Sequence, residues 1–172
     1  GQTREARLFK HNLTLNRKIS TRMNDNRVVV VDQIENETCR DTKYSILYHI
    51  NFGYPFLDEG TKIIVSDRTT TTARSDMSKQ YFEQRFEMSK PIDNFEEHLY
   101  YLDIPADSDG MSHALVVNEA LNLAVELRFD KATLPYLVEW KSMNSGDYAL
   151  GVMPSSSLLR GRREELEQDG LS

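Results

Sequence analysis

Short runs of alternating apolar and polar residues, separated by turn chemistry, recur along most of this chain and constrain its fold more than any other feature. The clearest is Leu121–Phe129, where Leu121, Leu123, Val125, Leu127 and Phe129 occupy alternate positions and Asn122, Ala124, Glu126 and Arg128 fill the others. A period of two puts each set on its own face of an extended strand, which is incompatible with a helix. Leu13–Ile19 alternates in the same way, and further strands are expected at Val28–Val31, Tyr44–Ile50, Lys62–Val65, Tyr81–Met88, Glu96–Ile104, Met111–Asn118, Tyr136–Trp140 and Tyr148–Met153. The unbroken valines at 28–31 predict a strand buried on both faces. Turn signals stand between these runs, among them Asn24-Asp25-Asn26, Ala106-Asp107-Ser108-Asp109-Gly110 and Asn144-Ser145-Gly146-Asp147. Only Arg160–Gln168 has helical character, and it is almost wholly charged. About ten short strands with almost no helix predict an all-β sandwich.

The 172 residues suit one domain over 1–172, and a hydrophobic fraction of 39% is enough for a packed core. Residues 67–79 carry four threonines and two serines with almost no apolar residue, which predicts an exposed loop. Acidic and basic residues are interspersed at a net charge of -6, without the clustered basic face that nucleic acid requires. No apolar run approaches the ~20 residues of a membrane helix. Cys39 is the only cysteine, so no internal disulfide can form, which points to a reducing, cytoplasmic setting. The chain opens on Gly1 and its first methionine is Met23, inside a polar loop, which reads as an internal piece of a longer protein.

The most telling stretch for chemistry is Leu47-Tyr48-His49-Ile50-Asn51-Phe52-Gly53-Tyr54-Pro55. His49 and Asn51 are two apart, so an extended backbone points both the same way, with Tyr48, Ile50 and Phe52 opposite. A carboxamide offers a donor and an acceptor, and an imidazole exchanges protons near neutral pH, a pairing suited to a polyhydroxylated ligand. Spacing alone allows equally that His49 is a structural histidine. Trp140 could stack on a sugar face or sit in the core. Alternation places Glu96, His98 and Tyr100 on one face and Glu97, Leu99 and Tyr101 on the other. No H-x-H or C-x-x-C pair suggests a metal, Ser155-Ser156-Ser157 lacks the G-x-S-x-G setting of a hydrolase nucleophile, and no glycine-rich phosphate loop is present.

Taken together, these segments resemble a known family. Leu47 through Gly60 is similar to the central motif of the aldose 1-epimerase-like family, an uncharacterised branch of the galactose mutarotase superfamily. Leu13–Ile19, Val31–Asn36, and the late segment running from Leu134 through Lys141 to Tyr148–Pro154 agree with it in order and spacing. The resemblance implies a large antiparallel β-sandwich of the galactose mutarotase type, longer than this chain, with further strands before Gly1 and a closing segment after Ser172. It implies a free monosaccharide or sugar derivative as partner, no cofactor, and an isomerase of carbohydrate metabolism that interconverts anomers by acid–base ring opening. His49 would be the acid, and Asn51, Tyr54, Trp140 and Lys141 sugar contacts. Relatives usually offer a glutamate before the late proline as the base, but here that position is Met153, which cannot accept a proton. Glu97 is the expected substitute, with Glu139 behind it. A carbohydrate-binding protein without turnover, or a β-sandwich interaction module, are the alternatives.

Overall fold

The computed structural model of the protein describes residues 1–160, so the helical character expected at Arg160–Gln168 lies, beyond Arg160, outside the described residues. The chain divides into two compact units, Gly1–Tyr44 and the part from Ser45 onward.

The first unit is one antiparallel sheet of β1 (Gln2–Ala6), β2 (Asn12–Thr21) and β3 (Val28–Asn36), in that spatial order. The alternating Leu13–Ile19 run lies in β2, which pairs with β3 from Leu13↔Asn36 to Thr21↔Val28 across the polar loop. β1 was not evident in the sequence, because Gln-Thr-Arg-Glu-Ala has no apolar face. Polar clasps tie the strands together. Arg17 holds Asp32 with two parallel hydrogen bonds of 2.8 and 2.6 Å, and Glu37 accepts from Thr14 at 2.6 Å and Arg4 at 2.7 Å. The expectation for the valine run is half right. Val28–Val31 is a strand, but it is exposed, with Val28 70% and Val31 56% accessible. Burial on both faces needs a layer on each side, and this unit is a single sheet thick.

The second unit is a two-layer antiparallel sandwich. One layer has five strands in the order β4 (Ile50–Phe52), β11 (Asp147–Ser155), β10 (Tyr136–Asn144), β7 (His98–Asp103) and β6 (Thr70–Ala73). The other has three, β5 (Lys62–Ile64), β8 (Met111–Asn118) and β9 (Leu123–Asp130). Between them lies one apolar cluster that includes Leu102, Val116, Phe129, Leu137, Leu150 and Val152, all buried. Each such side chain contributes about 1.5–3 kcal/mol on leaving water. The turns fall where their chemistry predicts. Gly110 and Gly146 adopt φ of 79° and 97°, and the Asp107 carboxylate accepts from the backbone of Asp109 and Met111.

Two segments depart from the expected pattern. The stretch 67–79 is not a loop throughout: it holds edge strand β6, paired with β7, and the short helix α1 (Asp76–Gln80), capped by Ser75. Tyr81–Met88 contains a 3-10 turn at Phe82–Gln84 rather than a strand. Its aromatic residues raise strand propensity, but Phe82 and Phe86 pack down onto the core while the Arg85 guanidinium lies over both rings at 4.2 and 4.5 Å.

Candidate functional site

Strand register alone decides which residues meet on the outer face of the five-stranded sheet. Trp140 pairs with Gly151 on one side and Leu99 on the other, Gly151 pairs with Asn51, and the Arg74 N–H donates to the Leu99 carbonyl. Directly paired residues project to the same face. Asn51, Gly151, Trp140, Leu99 and Arg74 therefore form one row across five strands. In the adjacent row Met153 pairs with Val138, and Val138 with Tyr101. His49 lies between the Ile50↔Val152 pair and the isolated Leu47↔Ser155 bridge, in a tight turn closed by the Ile50 N–H on the Tyr48 carbonyl, and so comes level with Met153. Val138, Met153 and Tyr101 form a second apolar cluster on this face, separate from the sandwich core.

Above these rows opens a cleft of about 680 Å³, lined among others by His49, Asn51, Arg74, Glu97, Trp140 and Met153. Gly151 makes room on its floor: Met153 and the Trp140 ring already lie 3.4 and 3.5 Å from where a Cβ would stand. Trp140 is half-buried, with its ring centroid 6.5 Å from that of His49. Its Nε1–H donates to Glu97 Oε2 at 2.6 Å, so the indole holds the carboxylate in place and has no donor left for a ligand. The His49 ring nitrogens and the Asn51 carboxamide, both exposed, have no hydrogen-bond partner among the described residues.

Of the residues expected at the site, His49, Asn51, Trp140 and Glu97 come together and two do not. Tyr54 is 79% exposed and does not line the cleft. Lys141 alternates with Trp140 and therefore faces the sandwich interior. There its ammonium donates to the carbonyls of Gln84, Arg85 and Glu87 at 2.9, 2.6 and 3.1 Å. These carbonyls belong to the irregular segment after α1, which a single bridge between Lys62 and Glu87 ties to β5 and which leaves other backbone groups to be satisfied by a side chain. Lys141 is thus a buttress of the fold and is turned away from the cleft. Glu139, the reserve candidate for the base, shares that inner face and is 0% exposed. His98 also points inward, stacked on Tyr81 at 4.9 Å and packed against Phe95 at 4.6 Å. Burial, aided by the charge of Lys141, pulls its pKa down to about 4, so it is a neutral core histidine at pH 7. No group of three or more metal-ligating side chains occurs among the described residues.

Glu139 makes an independent prediction. Neither carboxylate oxygen has a hydrogen bond, and the Lys141 ammonium is 4.0 Å away. Burial pushes its pKa up to about 8, against the opposing pull of Lys141 and Arg85. Below the ordinary carboxylate range both folded and unfolded states hold the proton, and no penalty exists. From there up to about 8 only the unfolded state releases it, so stability falls as pH rises. Glu139→Gln is expected to remove this slope. Its melting temperature relative to the parent should climb between pH 5 and pH 8 by at least about 4 °C, and parallel melting curves at the two pH values would contradict it.

Arg74 is the cleft residue that the sequence did not reveal, because the threonine-rich stretch around it reads as a loop. The available signal was Thr70-Thr71-Thr72: three β-branched residues suit an edge strand better than a mobile excursion.

Comparison with known proteins agrees with this architecture. The crystal structure of a candidate aldose 1-epimerase from Klebsiella pneumoniae superposes with a TM-score of 0.91 at 26% sequence identity, over 98% of this chain and 44% of that one. The chain thus spans less than half the length of that protein, and its sheets and connections are those of a galactose mutarotase-like β-sandwich. No curated protein matches the chain. Among the described residues no helix is long and apolar enough to cross a membrane. A family model described as a domain of unknown function, DUF4432, matches residues 1–172, and the chain belongs to that family.

Proposed function

We propose that this protein binds a free monosaccharide or close sugar derivative in the cleft over Trp140 and interconverts its anomers, as an aldose 1-epimerase-like isomerase. The observation that carries the reading is the position of Trp140. Its ring is open to the cleft, with His49 and Asn51 on the β4 side and Glu97 on the β7 side. An aromatic floor with polar groups around it is the arrangement that apolar C–H faces and equatorial hydroxyls of a sugar require. A tryptophan sealed in the core would have favoured a mere interaction module. The likeness to the Klebsiella protein adds weight to the same reading.

In the proposed reaction Glu97 takes the proton of the anomeric hydroxyl while protonated His49 gives one to the ring oxygen. The bond between the anomeric carbon and the ring oxygen breaks, leaving an open-chain aldehyde, a neutral imidazole and a protonated carboxyl. Rotation about the adjoining carbon–carbon bond presents the other carbonyl face, and the two proton transfers reverse to close the ring. Acid and base acting together avoid a charged intermediate. The Trp140 hydrogen bond fixes one oxygen of Glu97 and leaves the other for the sugar.

The test is the decay of optical rotation of freshly dissolved α-aldoses with and without protein. Acceleration is expected, and Glu97→Gln should lower it about 100-fold or more, since the amide still accepts from Trp140 but takes no proton. Met153 favours a second reading, a sugar-binding protein without turnover, because a thioether stands level with His49 where a carboxylate would serve best. Measurable sugar binding without acceleration over a broad panel of aldoses would select that reading.

A further inference from the structure

The cleft holds a cation that neither the fold nor the proposed proton transfers employ. Arg74 directly follows edge strand β6, and its N–H bond to the Leu99 carbonyl at 3.0 Å extends the pairing by one residue. That places its side chain in the row of Trp140 and Asn51, at the rim opposite His49. It is exposed, lines the cleft, and its guanidinium has no hydrogen bond or ion pair among the described residues. Other arginines of the sandwich are engaged: Arg85 donates to the Phe82 carbonyl and covers two rings, and Arg128 pairs with Asp109 at 3.4 Å. Arg68 also lacks a partner, but it does not line the cleft.

Charge sorting makes the position informative. The chain carries a net charge of -6, so a random surface arginine would find carboxylates easily. Among the described residues lining the cleft, however, Glu97 is the only carboxylate, and its oxygen is bound by the Trp140 indole rather than by Arg74. Interstrand spacing puts β6 about 10 Å from β10, close enough for a long side chain to meet the edge of a sugar stacked on Trp140. A neutral sugar would use a guanidinium poorly, because five fixed donors match the paired oxygens of an oxyanion better than separate hydroxyls.

We propose that the cleft takes a sugar bearing an anionic substituent, a carboxylate or a phosphate, with Arg74 as its counter-ion. This rests on the sugar-cleft reading above and specifies its substrate class. Trp140, the only tryptophan, lies in the cleft, so its fluorescence reports binding without added label. The titration compares glucose and galactose with glucuronate and galacturonate, and with their 6-phosphates, at low and at high salt. At least one anionic arm should bind about 10-fold or more tightly than its neutral parent, the gap narrowing as salt rises. Arg74→Gln should abolish the preference and Arg74→Lys should keep part of it. The uronate and phosphate arms separate the two sources of charge. Equal affinity for neutral and anionic sugars, or a preference that survives Arg74→Gln, overturns the proposal while leaving the sugar cleft standing. Binding of neither class by any variant overturns the sugar-cleft reading and this proposal together.

Discussion

Replacing Lys141 with methionine is expected to cost about 2–5 kcal/mol of stability, the largest effect foreseen for any single substitution here. The side chain is 4% exposed, and its ammonium serves three carbonyls of the segment between α1 and β7. Burial pulls its pKa down, and the neighbouring carboxylates of Glu139 and Glu87 push it back up. Methionine keeps most of the volume but leaves the Arg85 and Glu87 carbonyls without a donor, Gln84 keeping the Glu87 N–H, and removes the charge nearest Glu139. Above about pH 8, where Glu139 is ionised, truncating one partner of this buried pair is more damaging than replacing both. The double variant Lys141→Met/Glu139→Gln should therefore recover part of the loss, and the difference from additivity measures the coupling. Urea unfolding followed by tryptophan emission is suited to this, since Trp140 reports on the sandwich unit alone. A single-variant loss below about 1 kcal/mol, at the level of ordinary surface substitutions, would show that Lys141 is not the buttress described here.

His49→Ala is expected to lower the rate of anomer interconversion by about 100- to 10,000-fold, the usual range of a general acid. The side chain is exposed and has no hydrogen bond to the described protein, so its loss should leave the unfolding free energy within about 1 kcal/mol of the parent. Sugar binding should persist, because Trp140, Asn51 and Glu97 remain, and the loss should fall on kcat more than on KM. Exogenous imidazole offers a further check, since a small diffusible acid can enter an open cleft and restore part of the rate. An unchanged rate removes His49 from the mechanism, whereas a lost rate with lost folding would assign it a structural role.

Much of the sandwich was legible before any coordinates, for an identifiable reason. Strands β8, β10 and β11 lie where alternation and turn residues put them, because each is flanked by residues with special backbone demands, such as Gly110 and Gly146. Strands β1 and β6 escaped notice because both are short polar edge strands: β1 is exposed throughout, and β6 lends the core only Ala73. Tyr81–Met88 misled in the opposite direction. Its aromatic content signals burial, which is correct for Phe82 and Phe86, but burial does not require an extended backbone. The candidate site was half legible. Period-two alternation correctly joined His49 to Asn51 and separated Glu97 from His98. It could not say that Trp140 and Lys141, adjacent in sequence, serve opposite sides of one sheet.

By itself the sequence determined the elements and their local faces, since alternation, turn chemistry and the absence of helical periodicity are properties of neighbouring residues. It also singled out the His49–Asn51 pair, which two positions of extended chain suffice to align. Only the tertiary structure decided which elements share an edge, and with that which distant residues share a face. The pairing of β4 with β11 sets Met153 against His49, and the chain of pairs from β11 to β6 carries Trp140, Glu97 and Arg74 into the same cleft. Register is a long-range quantity, set by how two strands bury their faces together, and a slip of one residue would have sent each of these side chains into the core and Lys141 into the cleft.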